Sequence, residues 1–344
     1  MNAWMLNAPG DIVYTEVDKP KLSFGDVLVA VKAVGVCGSD IPRIFVNGAH
    51  RMPLIPGHEF AGEVVCAPGV KSHWMGKRVG VYPLIPCMKC KQCLERRYEL
   101  CRAYDYLGSR SDGAYAEYVK VPAANLIELP ENVSYEAGAM LEPLSVAVHA
   151  FRRVRPVSGE RVLVWGLGTI GLLLVQILLA NMDADDIYVC GNKEYQKERV
   201  TGLGIPEKHY FDSAGDMSNF MAENKGANVV FECVGKKETV SGCIDALLPG
   251  GRGVLVGNPA SDIALEQNTY WKLLRNQLTI SGTWNSSFLR EDTDDWHYAV
   301  DMMAKGTIHP EQLITHRYSL EDADRGLRVM KDKTENYIKI MIEP

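Results

Sequence analysis

Two different hydrophobic patterns divide the chain. In the first 150 residues, short apolar runs are bounded by Gly, Pro and charged residues, which is typical of β-strands. Beyond about residue 155, strand-like runs alternate with helix-like stretches at 169–180 and 193–203. The predicted strands lie at 26–33, 62–66 and 77–81 in the first part, and at 161–165, 186–190, 208–211, 228–231, 253–256 and 278–281 in the second.

The alternation in the second part predicts the fold class. Strands that alternate with helices form a parallel sheet covered on both faces, and six strands make a full dinucleotide-binding fold. The segment after residue 284 returns to a mixed pattern, and we expect it to pack on the first part. We therefore predict an α/β protein, with a doubly wound Rossmann domain at 151–284 and a β-rich domain at 1–150 plus 285–344.

Composition narrows the class of protein. The 344 residues suffice for two domains, and the proportions of 47% hydrophobic and 23% charged residues are those of a globular protein. A formal net charge of −6 argues against a nucleic-acid surface or a polybasic membrane patch. Because the N-terminus has no signal-peptide pattern, we expect a cytoplasmic protein, in which the nine cysteines favour metal binding over disulfides.

Four of these cysteines lie close together. Cys87, Cys90, Cys93 and Cys101 form a run whose thiolates can surround one tetrahedral ion, and zinc is the usual occupant of such a closed structural site. We predict a structural zinc lobe at 87–101. A further four cysteines, Cys66, Cys190, Cys233 and Cys243, are interpreted as small apolar residues.

A glycine-rich turn follows the first strand of the second part. Gly166, Gly168 and Gly171 have the spacing that allows a tight turn, close approach of a pyrophosphate and close helix packing. The amides of Thr169 and Ile170 would then lie at a helix N-terminus, which favours an anion. The strand and helix around the turn favour dinucleotide binding over an ordinary glycine turn.

The end of the second strand bears on which dinucleotide binds. NAD-binding folds place a carboxylate there, but this chain has Gly191, Asn192 and Lys193. A small residue, a hydrogen-bond donor and a positive charge suit a 2′-phosphate, so the sequence favours NADP. The alternative is that Lys193 is a solvated loop residue and NAD is used.

A second set of metal-ligating residue types is dispersed along the chain. Cys37 begins Cys-Gly-Ser-Asp, His58 and Glu59 stand in Gly-His-Glu-Phe-Ala-Gly, and Glu142 precedes a proline. Each has an ordinary interpretation when taken alone, because an isolated histidine or cysteine is more often structural. Together, this mixed set would suit a site that keeps an open coordination position.

These motifs occur in the order found in the zinc-containing medium-chain dehydrogenases, which the whole chain resembles. Within that superfamily it is most similar to the polyol branch and especially, at 37–62 and 108–118, to the galactitol-1-phosphate 5-dehydrogenase family. The resemblance implies a β-rich domain of the GroES-like type. It also implies an NAD(P)-dependent alcohol or polyol dehydrogenase with two zinc ions per chain.

The resemblance also implies roles for individual residues. Cys37, His58 and Glu142 would hold a catalytic zinc, with Glu59 beside the ion and able to bind it in some states. Asp40 would orient His58, and Ser39 would relay the proton from the substrate hydroxyl. The expected cofactor-binding residues are Gly166, Gly168, Thr169, Ile170, Gly171, Gly191, Asn192, Lys193, Val234 and Val256.

Two features concern the substrate. Pro42 stands where many relatives have the histidine that ends the proton relay, so the exit of the proton is left open. A phosphorylated polyol needs an anion anchor, and the candidates are Arg43, His50, Arg51 and Arg110. Any one of these could instead be an ordinary surface charge.

The leading functional prediction is oxidation of a secondary hydroxyl of a sugar-alcohol phosphate. The alternatives are the same chemistry on an unphosphorylated polyol, such as sorbitol or xylitol, or on L-threonine. A zinc-free quinone-reductase-like protein and a non-catalytic crystallin-like protein are disfavoured by the joint presence of the metal and nucleotide motifs. We expect a homodimer or homotetramer, with the strand at 278–281 as a plausible contact.

Overall fold

The computed structural model describes residues 1–69, 72–213 and 217–344. They form two compact units, one of Met1–Ser145 with Ser287–Pro344 and one of Val146–Ser286. We call them the β-rich unit and the parallel-sheet unit, and we retain the domain boundaries given above as a prediction. Among the described residues, no helix is both long and apolar enough to cross a bilayer.

The β-rich unit contains one seven-stranded sheet, two small two-stranded sheets and short helices. The large sheet has the order β16-β17-β3-β4-β5-β9, with β8 also paired to β3. The strands are β1 Asn2–Ala8, β2 Asp11–Glu16, β3 Asp26–Val36, β4 Glu59–Cys66, β5 Arg78–Val81, β6 Leu84–Ile85, β7 Asp105–Tyr106, β8 Tyr118–Pro122, β9 Leu126–Glu128, β16 Ile314–Ser319 and β17 Lys339–Glu343. The helices are α1 Asp40–Pro42, α2 Lys91–Leu94, α3 Tyr135–Ala139, α4 Leu141–Val154 (which continues into the second unit), α10 Asp295–Ala304 and α11 Ala323–Asp332.

Strand β3 is the centre of this sheet. It pairs with β4 along one edge, and with β8 and then β17 along the other. Val27, Val29 and Val31 alternate into the core, as the period of two predicts. Strand β17, from the last part of the chain, thus pairs directly with a strand of the first part.

The parallel-sheet unit has the order β12-β11-β10-β13-β14-β15, with all neighbours parallel. In chain order this is 3-2-1-4-5-6, the arrangement of a dinucleotide-binding fold. The strands are β10 Val162–Trp165, β11 Ile187–Gly191, β12 Tyr210–Asp212, β13 Ala227–Glu232, β14 Leu247–Leu255 and β15 Thr279–Gly282; the helices are α5 Thr169–Leu179, α6 Glu194–Gly202, α7 Met217–Asn224, α8 Lys237–Ala246 and α9 Gln267–Arg275. The predicted fold class is confirmed.

The elements of this unit follow the sequence pattern closely. Strand β10 is wholly buried, which explains why it reads as a continuous apolar run. Helix α5 is buried at eight consecutive positions, from Gly171 to Leu178. The largest difference is β14, which begins at Leu247, earlier than predicted, because its first residues form an irregular pairing with β13.

Candidate active site and metal centres

The candidate active site forms where β3 ends and β4 begins. Cys37 directly follows β3, and His58 and Glu59 stand at the start of β4. Their ligand atoms lie within 4.8 Å of one another. Gly57 has φ +95°, and a Cβ atom there would lie 2.6 Å from the Tyr115 ring, so only glycine lets the chain turn into His58. Thiolate, imidazole and carboxylate donors are the set that zinc accepts.

Asp40 contacts Cys37 and lies close to His58. Its fully buried carboxylate accepts hydrogen bonds from the Cys37 amide at 3.2 Å, from Tyr115 Oη at 2.9 Å and from Arg43, and its Oδ1 lies 3.4 Å from His58 Nδ1. Burial opposes ionisation, but His58, Arg43 and Tyr115 together lower the pKa of Asp40 to about 2. Asp40 is therefore an anion that faces His58.

The same anion governs the charge of His58. Burial disfavours protonation of this ring, but Asp40 and Cys37 outweigh it and raise the pKa of His58 well above its ordinary value. The surroundings of His58 therefore favour positive charge, as expected beside a cation site.

Glu59 forms a buried ion pair that the sequence analysis did not anticipate. Lys339 on β17 donates to Glu59 Oε2 and also to the Val36 carbonyl at 3.1 Å, and both charged side chains are almost inaccessible. Gly35 makes room for the pair, since a Cβ atom there would lie 2.5 Å from Glu59 Oε2. The only signal was a lysine within the apolar run Ile338–Ile342, where a charge is rarely buried without a partner.

Glu142, near the start of α4, is buried beside this cluster but lies outside the group formed by Cys37, His58 and Glu59. Its Oε1 accepts a hydrogen bond from Tyr106 Oη at 3.1 Å. The Tyr106 ring contacts the His58 ring edge-on, with centroids 5.7 Å apart. Burial, with a further contribution from Glu59, raises the pKa of Glu142 to about 7, although His58 opposes the rise.

Ser39 contacts Cys37, and Arg43 lies next to Ser39. Ser39 Oγ donates to Cys37 Sγ at 3.2 Å, and Arg43 Nη2 lies 3.5 Å from Ser39 Oγ. Because the other Arg43 nitrogen bonds Asp40, this guanidinium is already partly committed within the protein. The short spacing from residue 40 to residue 43 on a helical turn explains a pairing that the sequence analysis overlooked.

The remaining basic candidates separate into two kinds. Arg110 lies over the Tyr104 ring at 4.5 Å, and its buried Nε finds no hydrogen-bond partner among the described residues. Partial burial, Arg110 and Arg43 all lower the pKa of the nearby His50. Arg51 is different, since it is exposed and lies 3.6 Å from Asp112.

The four-cysteine lobe has the geometry of a closed metal site. Sulfur separations are 3.5 Å for Cys90 and Cys93, and 3.9 Å for both Cys87–Cys93 and Cys90–Cys101. Four sulfurs at about 2.3 Å from a tetrahedral zinc would lie about 3.8 Å apart. Hydrogen bonds from backbone amides lower the pKa of Cys87 to about 6 and favour its thiolate, whereas burial raises the pKa of Cys93 to about 12.

In the parallel-sheet unit, the three glycines of the turn have different surroundings. Gly166 has φ +103°, and a Cβ atom on Gly171 would lie 1.9 Å from the Gly166 carbonyl oxygen. Gly168, which precedes Thr169 at the N-terminus of α5, has no atom within 4 Å of an added Cβ. The turn thus needs two glycines for its own packing and leaves open space at the third, where a pyrophosphate would approach.

The tip of β11 is more crowded than expected. A Cβ atom on Gly191 would lie 2.9–3.0 Å from Gln196, Leu167 and Tyr210, so these side chains occupy the space that was expected to be open. Gln196 also binds the Asn192 amide and the Leu167 carbonyl.

The other expected cofactor residues follow strand ends. Lys193 precedes α6, and its amine lies 3.4 Å from Tyr195 Oη. Val234 and Val256 follow β13 and β14, and their amides bind the side chain and the carbonyl of Glu232.

Family comparisons agree with this geometry. Residues 23–131 match the alcohol dehydrogenase GroES-like domain, and residues 135–343 match the glucose dehydrogenase C-terminus. The fold and its sites define an NAD(P)-dependent, zinc-type alcohol or polyol dehydrogenase, and the chain belongs to the zinc-containing medium-chain dehydrogenase family.

Curated relatives differ in substrate. The chain is 33% identical over 306 residues to galactitol 1-phosphate 5-dehydrogenase of Escherichia coli K12, with 88% of each chain covered. It is 28% identical to L-threonine 3-dehydrogenase of Francisella tularensis subsp. mediasiatica, covering 94% of this chain and 93% of that one. It is 27% identical to sorbitol dehydrogenase of Bacillus subtilis, covering 100% and 97%.

Solved structures with the same fold include different cofactor complexes. Galactitol-1-phosphate dehydrogenase from Escherichia coli superposes with a TM-score of 0.91 at 30% identity, with both chains fully covered. A zinc-binding dehydrogenase from Sinorhizobium meliloti 1021 bound to NADP gives 0.89 at 28%, covering 100% and 99%. An Escherichia coli CFT073 alcohol dehydrogenase complexed with NADH gives 0.91 at 25%, with the same coverage.

The open space at Gly168 generates a prediction about cofactor binding. Gly168→Ala should leave the melting temperature unchanged, because no protein atom opposes the added methyl group. It should weaken dinucleotide binding about tenfold or more, since the methyl would occupy the pyrophosphate approach. Gly202→Ala, also unopposed by any atom within 4 Å, is the matched control. Calorimetric dissociation constants check both, and an unchanged value for Gly168→Ala would contradict the assigned position.

The geometry of the lobe generates a prediction about metal content. Cys93→Ser should lower bound zinc from about two ions to about one per chain and lower the melting temperature, because a structural zinc contributes directly to folding. Activity should fall only as the protein unfolds. Atomic emission and thermal melts measure these effects, with Cys66→Ser as the control at an exposed cysteine outside the lobe. Two retained ions in Cys93→Ser would rule out the four-cysteine site.

Proposed function

We propose that the protein oxidises a secondary hydroxyl of a sugar-alcohol phosphate to the corresponding keto-sugar phosphate, with preference for NADP. In this proposal, Cys37, His58 and Glu142 hold a catalytic zinc, with Glu59 as an alternative ligand. Cys87, Cys90, Cys93 and Cys101 hold the structural zinc. The donor types and the sulfur separations support both assignments.

The chain's own residues would divide the work as follows. A zinc ion in such a site supplies Lewis-acid activation of a hydroxyl group, and the nicotinamide accepts hydride. Ser39, which contacts Cys37 Sγ, would take the proton from the substrate hydroxyl and relay it. The guanidinium of Arg43 lies beside Ser39 Oγ and would stabilise the Ser39 hydroxyl as it loses its own proton. Asp40 keeps His58 and Cys37 in position.

The observation that carries the phosphate assignment is the convergence of three basic side chains. Burial is the largest cause that lowers the pKa of His50, and Arg110 and Arg43 lower it further, so both guanidinium groups lie close enough to act on this ring. The buried Nε of Arg110 has no hydrogen-bond partner among the described residues. A bound dianion would favour protonation of His50 and supply the acceptor that Arg110 Nε lacks.

The cofactor proposal depends on the loop after β11. No carboxylate stands at Gly191, Asn192 or Lys193, and the Lys193 amine lies over the Tyr195 ring at 5.4 Å. A lysine held near the strand tip favours a 2′-phosphate over a ribose hydroxyl. The structural neighbour bound to NADP supports this preference, while the neighbour with NADH represents the alternative.

An unphosphorylated polyol or L-threonine is the second candidate. The observation in its favour is the ion pair of Arg43 with Asp40, which reduces the positive charge that remains to bind a phosphate. The similarity to sorbitol and threonine dehydrogenases points the same way.

The deciding experiment is a substrate panel. Hexitol 1-phosphates, the corresponding free hexitols and L-threonine would each be assayed with NAD and with NADP. We expect the highest kcat/KM for a hexitol phosphate with NADP. A free hexitol or L-threonine as the better substrate would sink the phosphate proposal, and a higher kcat/KM with NAD would sink the cofactor preference.

Arg110 provides a sharper form of the same test. Arg110→Ala should lower kcat/KM for the phosphorylated substrate about 10- to 100-fold, mainly through KM, because it removes a charge-assisted contact of about 1.5–3 kcal/mol. The free hexitol should be affected less than about twofold. Arg325→Ala, at an exposed arginine on α11, is the control. Equal losses on both substrates would count against a phosphate role.

We also propose that two copies associate through the edge of the parallel sheet. Strand β15 is the last strand of the described sheet, and the nearby Tyr270, Trp271, Leu274 and Trp284 are exposed apolar side chains. Leu274→Asp should lower the molar mass measured by light scattering towards that of a single chain. Val157→Asp, at another exposed apolar residue of this unit, should not. A monomeric wild-type protein would refute the proposal.

A further inference from the structure

Tyr106, at the end of β7, contacts two proposed zinc ligands although it is not itself a ligand. Its Oη donates to Glu142 Oε1 at 3.1 Å, and its ring lies edge-on against His58 with centroids 5.7 Å apart. These ligands come from distant parts of the chain, the start of α4 and the start of β4. One side chain therefore touches both.

The hydrogen bond determines what Glu142 can offer a metal ion. The phenol uses one lone pair of Oε1 and restricts rotation of the carboxylate, while Oε2 makes no contact with the phenol. Ligating carboxylates are commonly fixed in this way by a hydrogen bond from outside the ligand set. Glu59 is fixed differently, since its partner is the ammonium of Lys339. A neutral donor leaves the negative charge of an ionised Glu142 uncompensated, whereas Lys339 neutralises that of Glu59.

The backbone of Tyr106 contacts the turn that follows it in the chain. Its carbonyl accepts hydrogen bonds from the amides of Ser109, Arg110 and Ser111, at 2.8–3.2 Å. The Tyr104 ring, on which Arg110 lies, is also 6.1 Å from the Tyr106 ring. Tyr106 thus links the turn that carries Arg110 to the carboxylate of Glu142.

We infer that Tyr106 is a positioning residue that orients the Glu142 carboxylate for binding of the catalytic zinc. The inference rests on the proposed function, because it takes Glu142 to be a ligand. The competing interpretation is that Tyr106 only fills space beside His58, a role that a phenylalanine would serve equally well.

Tyr106→Phe separates these interpretations because it keeps the ring and removes only the donor. We expect the more weakly held zinc to dissociate about 10- to 100-fold more readily in chelator competition, the usual cost of losing such an outer partner. After cobalt exchange into that site, the visible absorption bands should change, since they report ligand geometry. The four-cysteine ion should stay bound and serve as an internal control for folding. Tyr118→Phe, which removes a phenol on β8, should leave both readouts unchanged.

Glu142→Ala completes the experiment. This variant should bind the weakly held ion much less tightly, and adding Tyr106→Phe to it should lower the affinity no further, because the phenol acts through the carboxylate. If Glu142→Ala keeps the ion with wild-type affinity, the ligand assignment and the inference both fail. If Glu142→Ala loses the ion but Tyr106→Phe keeps wild-type affinity and bands, only the role of Tyr106 is overturned. An equal loss from Tyr106→Phe in both backgrounds overturns the route through Glu142.

Discussion

The buried carboxylate of Asp40 is the interaction on which the active site depends. An ionised carboxylate is costly to bury unless it is paired and hydrogen-bonded, and here its contacts are the Cys37 amide, Tyr115, Arg43 and the facing His58. Because Asp40 lies only three residues from Cys37, the turn after β3 fixes the carboxylate and the thiol together. Tyr115 and His58, which come later in the chain, then place their side chains around this carboxylate.

Charge balance explains why this site would take a divalent cation. The site contains four acidic groups, which are the buried carboxylates of Asp40, Glu59 and Glu142 and the thiol of Cys37. It also contains two cations, Lys339 and Arg43. When all acidic groups are ionised and His58 is neutral, as a metal-binding imidazole is, an excess of two negative charges is left, which one zinc ion would neutralise. Burial makes such an excess expensive, so metal binding and folding stabilise each other here.

The sequence predicted the fold class and the two local motifs, because each is encoded within a few residues. The glycine turn and the cysteine run carry their geometry in their spacing. The rest of the site could not be predicted in this way: Lys339 and Glu59 are 280 residues apart, and only the pairing of β17 with β3, and of β3 with β4, brings them together. Arg43 is an anion-anchor candidate in the sequence, but in the structure its guanidinium is paired with Asp40. The contact of Tyr106 had no sequence signal beyond its position after the lobe.

The two metal centres differ in how much of the fold they need. In the lobe, the Cys101 sulfur accepts a hydrogen bond from the Cys87 amide at 3.3 Å, and the four candidate metal ligands all come from one short segment. That geometry can form locally around an ion. The candidate catalytic centre draws on β3, β4, α4 and β17, so it exists only when the sheet of the β-rich unit is complete. Arg96 in the lobe bonds Glu291, which lies in the returning segment that ends in β17. Because both side chains are half exposed, this ion pair contributes little stability, and Lys339 is placed by the pairing of β17 with β3.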